Sequence, residues 1–444
     1  MEIEKEQILG KDSKKFRRRD IIELKELIEK NKNEQNKKFY FFILIVILIN
    51  FGIVFYLCLK INKKEQKDKA LDKQILKDYF QKEIGTNMTK IEEKMNILES
   101  KINILKSKQN EENIIDKTNL QGEELPEISY EKFDENIFQE VQKQQMEFCN
   151  NQNKYIKSQF EQQIQIEHAS FLNRSFDMYV YKIGDTVSNF IRDVHNWEPY
   201  ETEALVKALN YYSSLKNIPN NNIYIIDIGA NVGWHTFFLA KCGYQVLSFE
   251  ASVANIYILR KNFCLNQKFN ITIINKGLYT EDKKCNYYLN EGNIGNGLIH
   301  CDKNNTVASD FTKSGEAYLT RLSNYVEFLS TKNVALIKID IEGSEGKAIE
   351  GGIELISNYH IPFILLEFTP ELLILHGTDP MQFLEMLEMN GYKFPKKNFF
   401  DSNYYTKQEI IENSRNSKDR YIYLYIVYSK IIKNEEKNIT NNTY

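Results

Sequence analysis

Short apolar runs alternate with helical segments over the second half of the chain, and this pattern predicts an α/β domain. The runs are rich in β-branched residues and do not alternate with polar positions, as in strands that are covered on both faces of a parallel sheet. The predicted strands lie at the start of Ile223–Thr236 and at Tyr244–Glu250, Ile271–Asn275, Val334–Glu345, Phe363–Glu367 and Tyr421–Tyr428. Helices are predicted at Glu198–Lys216, at Trp234–Cys242 and around Phe383, Leu384 and Leu387.

A different apolar stretch, Phe39–Leu59, contains no charged residue and is flanked by lysines on both sides. About twenty such residues span the hydrocarbon core of a bilayer, so the stretch predicts a single transmembrane helix. It begins too late and is too long for a cleaved signal peptide. The flanking charges leave the orientation open. A short tail before a large C-terminal domain favours a signal-anchor, with the domain in the lumen of the secretory pathway (ER or Golgi).

The region between anchor and domain carries an apolar stripe at alternating spacings of four and three residues, from Ile84 to Leu105. This stripe predicts a coiled coil and a stalk that self-associates into a homo-oligomer. The polar composition of Lys106–Lys143 predicts a linker. The predicted parts of the chain are a polar tail (1–38), the anchor (39–59), a helical stem (60–145), a catalytic domain (146–430, core 197–428) and a disordered tail (431–444).

The first predicted strand of the domain ends in a glycine loop in which Asp227, Gly229, Asn231 and Gly233 form the pattern D-x-G-A-N-x-G. Glycines at a strand end let a ligand approach the backbone closely. The first N–H groups of the following helix then point toward that ligand. The spacing differs from the G-x-G-x-x-G of dinucleotide-binding proteins and resembles the first motif of class I S-adenosylmethionine-dependent methyltransferases. A tight turn that binds nothing is the alternative for this loop taken alone.

Further acidic residues are predicted at the same edge of the sheet. The second strand ends at Glu250, a carboxylate that can accept two hydrogen bonds from a ribose diol. An adenine edge is expected at Gly277–Asp282, although a surface turn explains that segment nearly as well. The fourth strand carries Lys338 and brings Asp340 and Glu342 to its C-terminal end, where open α/β sheets hold ligands. The alternative is a buried ion pair that only holds the sheet together.

The combination of IDIGANVGWHT, LIKIDIEGSEGKAIEGG and FILLE resembles the FkbM family of methyltransferases over roughly Trp197–Tyr428. The resemblance implies a Rossmann-like class I fold, mostly parallel with an antiparallel final strand, and S-adenosylmethionine as the cofactor. It places the cofactor site on Asp227, Gly229, Asn231, Gly233 and Glu250, and the acidic motif on Asp340, Glu342 and Glu345. One departure is Leu322–Tyr325, LSNY, where many relatives have Leu-Asp-Asp. The nearby segment Asn290–Gly297, NEGNIGNG, predicts a hairpin turn or a substrate lid.

Methyl transfer from a sulfonium needs positioning and, for a hydroxyl acceptor, a group that takes the proton. We expect Asp340 or Glu342 to be this base, because burial would raise its pKa toward neutrality. His235 is another candidate, although a lone histidine in a helix start is more often a packing residue. His300 and His376 suggest a divalent metal beside the acidic motif, but no metal-binding spacing supports it. We therefore predict no metal.

Charge and cysteine content add little about the compartment. The net charge of −3 predicts no nucleic-acid partner. The cysteines show no metal or redox spacing. Cys285 and Cys301 flank the predicted hairpin and suit a bridge in a lumenal protein, whereas buried thiols are expected at Cys242 and Cys264. The predicted partners are therefore the membrane and an acceptor hydroxyl on a glycan, lipid or small molecule.

Two other functions stay open at this point. A lumenal glycosyltransferase often has an anchor, a stem and an α/β domain, and Asp340-Ile341-Glu342 resembles its D-x-D motif. The glycine loop argues against this alternative. A non-catalytic anchored scaffold is favoured by the missing Leu-Asp-Asp carboxylates, and it would bind the cofactor without transferring methyl groups.

Overall fold

A mostly parallel sheet forms the centre of the fold in the computed structural model, which describes Leu125 and residues 127–155, 158–290, 293–301, 311–418 and 420–431. The strands are β1 (Ile164–Phe171), β2 (Arg174–Tyr181), β3 (Ile223–Ile228), β4 (Gln245–Phe249), β5 (Ile271–Ile274), β6 (Gly277–Leu278), β7 (Lys283–Asn290), β8 (Asn293–His300), β9 (Phe311–Thr320), β10 (Asn333–Ile339), β11 (Phe363–Phe368), β12 (Tyr392–Lys393) and β13 (Ile422–Tyr428).

The α-helices flank and connect these strands. They are α1 (Glu135–Asn150), α2 (Gln152–Tyr155), α3 (Ser158–Glu161), α4 (Thr186–Val194), α5 (Pro199–Lys216), α6 (Trp234–Lys241), α7 (Val253–Leu265), α8 (Val326–Leu329), α9 (Glu345–Glu350), α10 (Ile353–Ser357), α11 (Pro370–Leu375), α12 (Pro380–Met389) and α13 (Lys407–Asn416). Short 3₁₀ helices lie at Asn220–Asn222 and Leu322–Tyr325.

Within the described residues the central sheet has seven strands in the order β12-β13-β11-β10-β3-β4-β5. The strands β11, β10, β3, β4 and β5 are parallel, whereas β13 runs antiparallel to β11. This confirms the predicted α/β class and the antiparallel final strand. The strand order reverses at β3, which pairs with β4 on one side and with β10 on the other, and such a switch point opens a crevice for ligands.

Burial explains why β3 reads as an unbroken apolar run. Every residue of Ile223–Ile228 is buried, because helices cover both faces of the sheet. The helix α6 contributes Trp234, Phe237 and Phe238 to this core, each at most 1 % exposed. Burying a large apolar side chain stabilises the folded state by about 1.5–3 kcal/mol. The core therefore holds the carboxyl end of β3 rigidly in place.

The acidic motif lies beyond its strand rather than within it. The predicted strand Val334–Glu345 ends at Ile339, so Asp340 and Glu342 occupy a loop. Glu342 and Gly343 adopt left-handed backbone conformations with φ of 53° and 97°, which a strand cannot continue through.

A smaller sheet, with the order β6-β9-β7-β8 among the described residues, lies beside the central one. The predicted hairpin or lid corresponds to the antiparallel pair β7 and β8, and Asn293–His300 is a strand. A disulfide joins Cys285 to Cys301 in this sheet, as the sequence suggested for a lumenal protein.

The end of the predicted linker is instead a folded helix, α1. The carboxamide of Gln145 donates to the carbonyl of Ile271 at 3.0 Å and accepts from the amide of Ile273 at 3.0 Å. It thereby pairs with the backbone of β5, at the end of the central sheet. A disulfide from Cys149 to Cys264 ties α1 to α7, so the expected free thiol at Cys264 was wrong. Cys242 is a buried thiol, and the described chain contains no bridge to it.

No helix of the described residues is long and apolar enough to span a membrane. The predicted anchor at 39–59 and coiled coil at 84–105 lie outside the described residues, as do the polar tail 1–38 and residues 432–444.

Candidate active site

A cavity of about 370 Å³ opens at the carboxyl ends of β3, β4, β10 and β11. Its walls include the glycine loop, the segment after β4, the acidic loop after β10 and the strand β8. Predicted site residues that line it are Gly229, Asn231, Glu250, Asp340 and Glu342. The structure therefore brings together five residues that the sequence placed in one site.

The glycine loop packs tightly against the acidic loop. The amide of Asp340 donates to the carbonyl of Ile228 at 3.0 Å. A Cβ on Gly229 would lie 1.8 Å from the carbonyl oxygen of Asp340, and Gly229 has a φ of 81°. No side chain fits there, so this glycine is required for the contact between the two loops.

Asn231 is the loop residue best placed to bind a ligand. Its φ of 53° is left-handed, a conformation that asparagine tolerates better than most residues. The side-chain oxygen is buried and, among the described residues, has no hydrogen-bond partner. A buried acceptor without a donor is costly, so a ligand that donates a hydrogen bond at this point is expected.

Asp227 and Gly233 hold the two ends of the glycine loop in place through buried contacts. Asp227 is fully buried, and its carboxylate accepts a hydrogen bond of 2.5 Å from the hydroxyl of Thr236 at the start of α6. Burial raises the pKa of Asp227 above its usual value. A Cβ on Gly233 would meet Leu259 and Phe237, so this glycine is needed for helix packing.

Glu250 is fixed by its own backbone surroundings. Its carboxylate accepts hydrogen bonds of 2.8–2.9 Å from the amides of Asn231, Ala251 and Ser252. A carboxylate offers about four acceptor positions, so one remains for a ligand hydroxyl. Burial raises the pKa of Glu250 to about 7, although the three amides act in the opposite direction.

Three carboxylates converge at the carboxyl ends of β10 and β11 in the wall of the cavity. Oxygen atoms of Asp340, Glu342 and Glu367 all lie within 4.8 Å of one another. The ammonium of Lys338 contacts Asp340 at 3.1 Å. Burial lowers the pKa of Lys338, but the charges of Asp340, Asp227 and Glu198 outweigh this effect and raise it. Lys338 is therefore a permanent cation beside the group.

Two of the acidic residues in the cavity, Glu198 and Glu367, were not assigned by the sequence analysis. Burial raises the pKa of Glu367 to about 10, reinforced by Asp340, Glu342 and other nearby carboxylates. Burial raises the pKa of Glu198 to about 7. Glu367 ends the predicted strand Phe363–Glu367, and this position at a strand end could have identified it as a site residue. Glu198 is the first residue of the predicted helix Glu198–Lys216, and no feature of the sequence marked it as a site residue.

Glu198 is held in place by the start of α5 and by the last strand. It has a left-handed φ of 46° and is followed by Pro199, the first residue of the helix. The hydroxyl of Tyr423 donates to its Oε1. Its Oε2 is buried and lacks a hydrogen-bond partner within the part of the chain that the structure describes.

His235 is a packing residue in this fold. It is 4 % exposed, its Nε2 lies 3.2 Å from the hydroxyl of Thr202, and burial lowers its pKa well below the usual value. Its ring is therefore neutral.

Neither of the other two histidines belongs to the group of three carboxylates. The rings of His300 and His376 lie 6.3 Å apart, and burial lowers the pKa of His376 to about 4. Among the described residues, the acidic group that lies close together consists of Asp340, Glu342 and Glu367 and includes neither histidine.

The remaining predicted positions have structural roles. The carboxylate of Glu345 accepts from the amides of Ile341 and Gly343 at 3.0 and 3.1 Å and so shapes the acidic loop. Asn324, where many relatives are expected to have Asp, donates to the carboxylate of Asp282 at 3.0 Å. Asp282 therefore anchors the 3₁₀ helix Leu322–Tyr325. Of the segment Gly277–Asp282, where an adenine edge was expected, Gly277 and Leu278 line the cavity.

The cavity suits S-adenosylmethionine in its polar groups. The partnerless oxygen of Asn231 is an acceptor of the kind that an ammonium group needs. The free acceptor position of Glu250 suits a ribose hydroxyl. When bound, the cofactor supplies a methyl group activated by a positively charged sulfur.

Residues 227–394 match a family model described as the methyltransferase FkbM domain. Solved structures similar to the chain include the bifunctional kinase-methyltransferase WbdD, at 12 % identity and a TM-score of 0.32 over 56 % of this chain and 44 % of that one. Another is the T. thermophilus 16S rRNA N2 G1207 methyltransferase in complex with AdoMet and guanosine, at 11 % identity and a TM-score of 0.28 over 60 % of this chain and 50 % of that one. A third is the precorrin-6Y C5,15-methyltransferase of Geobacter metallireducens, at 12 % identity and a TM-score of 0.24 over 51 % of this chain and 88 % of that one.

This chain thus spans less than half of the WbdD chain that it matches. No curated protein matches the sequence. The family model covers the glycine loop, Glu250 and the acidic motif in one continuous stretch. Residues 227–394 are therefore a methyltransferase FkbM domain, and the cofactor that this domain implies is S-adenosylmethionine.

Proposed function

We propose that this methyltransferase acts on a hydroxyl group, and that Asp340 or Glu342 receives the proton of that hydroxyl. The observation that carries the proposal is the contact between the glycine loop and the acidic loop. Gly229 packs against the backbone of Asp340, so the carboxylates lie directly beside the cofactor loop in the same cavity. An acceptor that enters between them meets the methyl donor and the proton acceptor together.

The chemistry is a single displacement. A bond forms between the acceptor oxygen and the methyl carbon, and the bond from that carbon to sulfur breaks with its electrons moving to sulfur. An alcohol is a weak nucleophile, so removal of its proton by a nearby carboxylate assists the reaction. The ammonium of Lys338 lies 3.1 Å from a carboxylate oxygen of Asp340 and so fixes the position of that side chain at the edge of the cavity.

We further propose that the domain works in the lumen of the secretory pathway, anchored by residues 39–59. Two disulfides within the described residues, Cys149–Cys264 and Cys285–Cys301, suit an oxidising compartment. Two N-x-Ser/Thr glycosylation sequons lie among the residues that the structure describes, and they begin at Asn173 and Asn270. Both asparagines are exposed. An anchored lumenal enzyme favours an acceptor hydroxyl on a glycan or a lipid, with small molecules as the remaining class.

The test uses the full chain, purified in a mild detergent, and S-adenosylmethionine carrying a labelled methyl group. Glycan, lipid and small-molecule fractions are offered as acceptors, and the labelled product is digested to find whether the label is on oxygen. The variants Asp340→Ala and Glu342→Ala, alone and together, should lose transfer while calorimetry shows nearly unchanged cofactor binding. Full transfer by the double variant would refute the assigned proton acceptor. Cofactor binding without transfer to any fraction would favour the scaffold alternative.

A further inference from the structure

We propose that Asp185 is a further cofactor-binding residue, and that it binds the ammonium group of S-adenosylmethionine together with Asn231. Asp185 directly precedes α4 and lies outside residues 227–394, so the match to the family model assigns it no role. The sequence analysis did not single it out either. The inference rests on the cofactor and is independent of the acceptor hydroxyl proposed above.

The first argument is a buried carboxylate oxygen without a partner. Asp185 is 1 % exposed. Its Oδ2 accepts a hydrogen bond of 2.7 Å from the amide of Ser188 and so caps α4. Its Oδ1 is buried and has no hydrogen-bond partner among the described residues. Serine and asparagine cap helices as well as aspartate does, so capping alone does not explain why a carboxylate is buried here.

The groups around Asp185 do not replace a bound cation. Burial raises the pKa of Asp185, whereas the hydrogen bonds from Ser188, the charge of Arg192 and the amide of Gly295 act in the opposite direction. The guanidinium of Arg192 donates to the carbonyl of Tyr181 at 2.6 Å. In the described chain no ammonium or guanidinium donates to Oδ1 of Asp185. A positively charged ligand at this oxygen would therefore stabilise the ionised carboxylate.

The second argument is the position of Asn231, whose side-chain oxygen is also buried without a partner in the described chain. A Cβ on Gly295 would lie 2.0 Å from Oδ1 of Asp185 and 3.0 Å from Oδ1 of Asn231, so the two oxygens are at most about 5 Å apart. Charged N–H···O bonds are about 2.7–2.9 Å long, so one nitrogen can contact two oxygens up to about 5.6 Å apart. A single ammonium can therefore satisfy both acceptors.

The third argument is that these two oxygens adjoin the cofactor cavity. Gly295 and Asn231 line the cavity, as does Thr186, the residue after Asp185. The strand β8 is fixed beside the start of α4 by a hydrogen bond of 3.0 Å from the amide of Thr186 to the side chain of Asn293. Ordered elements thus hold both acceptors at the cavity wall.

The chemistry of the two acceptors favours an ammonium over a hydroxyl. An ammonium has three N–H donors, whereas a single hydroxyl donates one hydrogen and satisfies only one acceptor. The ammonium also neutralises the buried carboxylate, and charged hydrogen bonds are stronger than neutral ones. In S-adenosylmethionine the ammonium belongs to the amino-acid end, so Asp185 and Asn231 bind that end while Glu250 remains for the ribose.

The test is calorimetric titration of the full chain, in mild detergent, with two ligands. S-adenosylhomocysteine carries the ammonium, whereas 5′-methylthioadenosine has the same adenosine and lacks the amino-acid end. Asp185→Asn removes the charge and keeps a side chain that can cap α4. Asn231→Gly removes the second acceptor at a left-handed position that suits glycine.

The matched control is Asp379→Asn, since Asp379 is exposed, lies outside the cavity and caps α12 through a hydrogen bond from Gln382. Circular dichroism and the fluorescence of buried Trp234 report whether each variant is folded.

We expect Asp185→Asn to weaken S-adenosylhomocysteine binding about 10- to 100-fold, because it removes a charged hydrogen bond, and to change 5′-methylthioadenosine binding less than about twofold. The control should bind both ligands as the wild type does. Asn231→Gly should also weaken S-adenosylhomocysteine binding. The two losses should not add in the double variant, because both side chains bind one group.

Unchanged S-adenosylhomocysteine binding in folded Asp185→Asn would overturn the proposal. An equal loss for both ligands, or losses that simply add in the double variant, would overturn it too, since neither result fits a shared ammonium. Transfer assays on the same samples separate this inference from the proposed function. O-methylation with binding that does not depend on Asp185 would sink the inference alone, whereas binding that depends on Asp185 without transfer to any hydroxyl would sink the proposed function alone.

Discussion

The disulfide between Cys149 and Cys264 should stabilise this fold more than the one between Cys285 and Cys301. The first joins α1 to α7 across 115 positions of sequence, and the second closes a loop of 16 positions. The perturbation is a pair of double variants, Cys149→Ala/Cys264→Ala and Cys285→Ala/Cys301→Ala. Each removes one bridge and equal numbers of side-chain atoms.

The expected losses follow from the entropy of the unfolded chain. A cross-link restricts the unfolded ensemble in proportion to the logarithm of the loop length. This gives about 5 kcal/mol for the bridge of 115 positions and about 3 kcal/mol for the bridge of 16 positions. The two variants should therefore differ by about 2 kcal/mol in the free energy of unfolding.

The assay is urea unfolding of the full chain followed by tryptophan fluorescence. Trp234 is 1 % exposed in the core of the domain, so its emission reports the loss of that core. Mass spectrometry of the unreduced protein first establishes that four thiols are absent. An equal or smaller loss for the Cys149 pair would refute the entropic reasoning, and four free thiols in the wild type would refute both bridges and remove their support for a lumenal compartment.

Three further predictions concern the site. Glu250→Ala should weaken S-adenosylmethionine binding about 10- to 100-fold in calorimetry, because a charged hydrogen bond contributes about 1.5–3 kcal/mol. Glu281→Ala, at an exposed position, is the control. Equal affinities of the two variants for the cofactor would show that Glu250 is not part of the site. Lys338→Met should lower the free energy of unfolding by about 3–5 kcal/mol, because it leaves buried carboxylates without their cation, whereas Lys332→Met, at a more exposed pair, should cost less than about 1 kcal/mol. Burial raises the pKa of Glu250 from 4.5 to about 7, so the folded protein keeps a proton that the unfolded chain releases in this range. Its free energy of unfolding should fall by up to about 3 kcal/mol as the pH rises from 4.5 to 7, and Glu250→Gln should flatten that decline in urea titrations at each pH.

Local patterns were sufficient to predict the cofactor loop and all strands of the central sheet except β12. The runs at β3, β4, β10 and β11 are apolar because both faces of each strand are buried, and that requirement is visible in the residues themselves. Gly229 could also be predicted as a loop residue from its residue type, since the backbone of Asp340 approaches it so closely that no side chain fits. The antiparallel final strand came with the family resemblance, and the register of β13 confirms it.

Polar composition misled the analysis at α1. Lys106–Lys143 has the character of a linker, yet its last residues belong to a helix that packs on the domain. The stabilising contacts are distant in sequence, namely the bridge from Cys149 to Cys264 and the bonds from Gln145 to β5. Composition reports on local preference, and it contains no information about a partner more than a hundred residues away.

The sequence by itself determined the α/β class, the glycine loop, Glu250 and the acidic residues that follow β10, because each depends on neighbours along the chain. Only the tertiary structure decided which carboxylates share the cavity. Glu198 and Glu367 reach Asp340 because the sheet places β10 between β3 and β11, and because β13 brings Tyr423 to Glu198. Strand order arises from long-range packing, so this group of carboxylates appears only when the sheet is assembled.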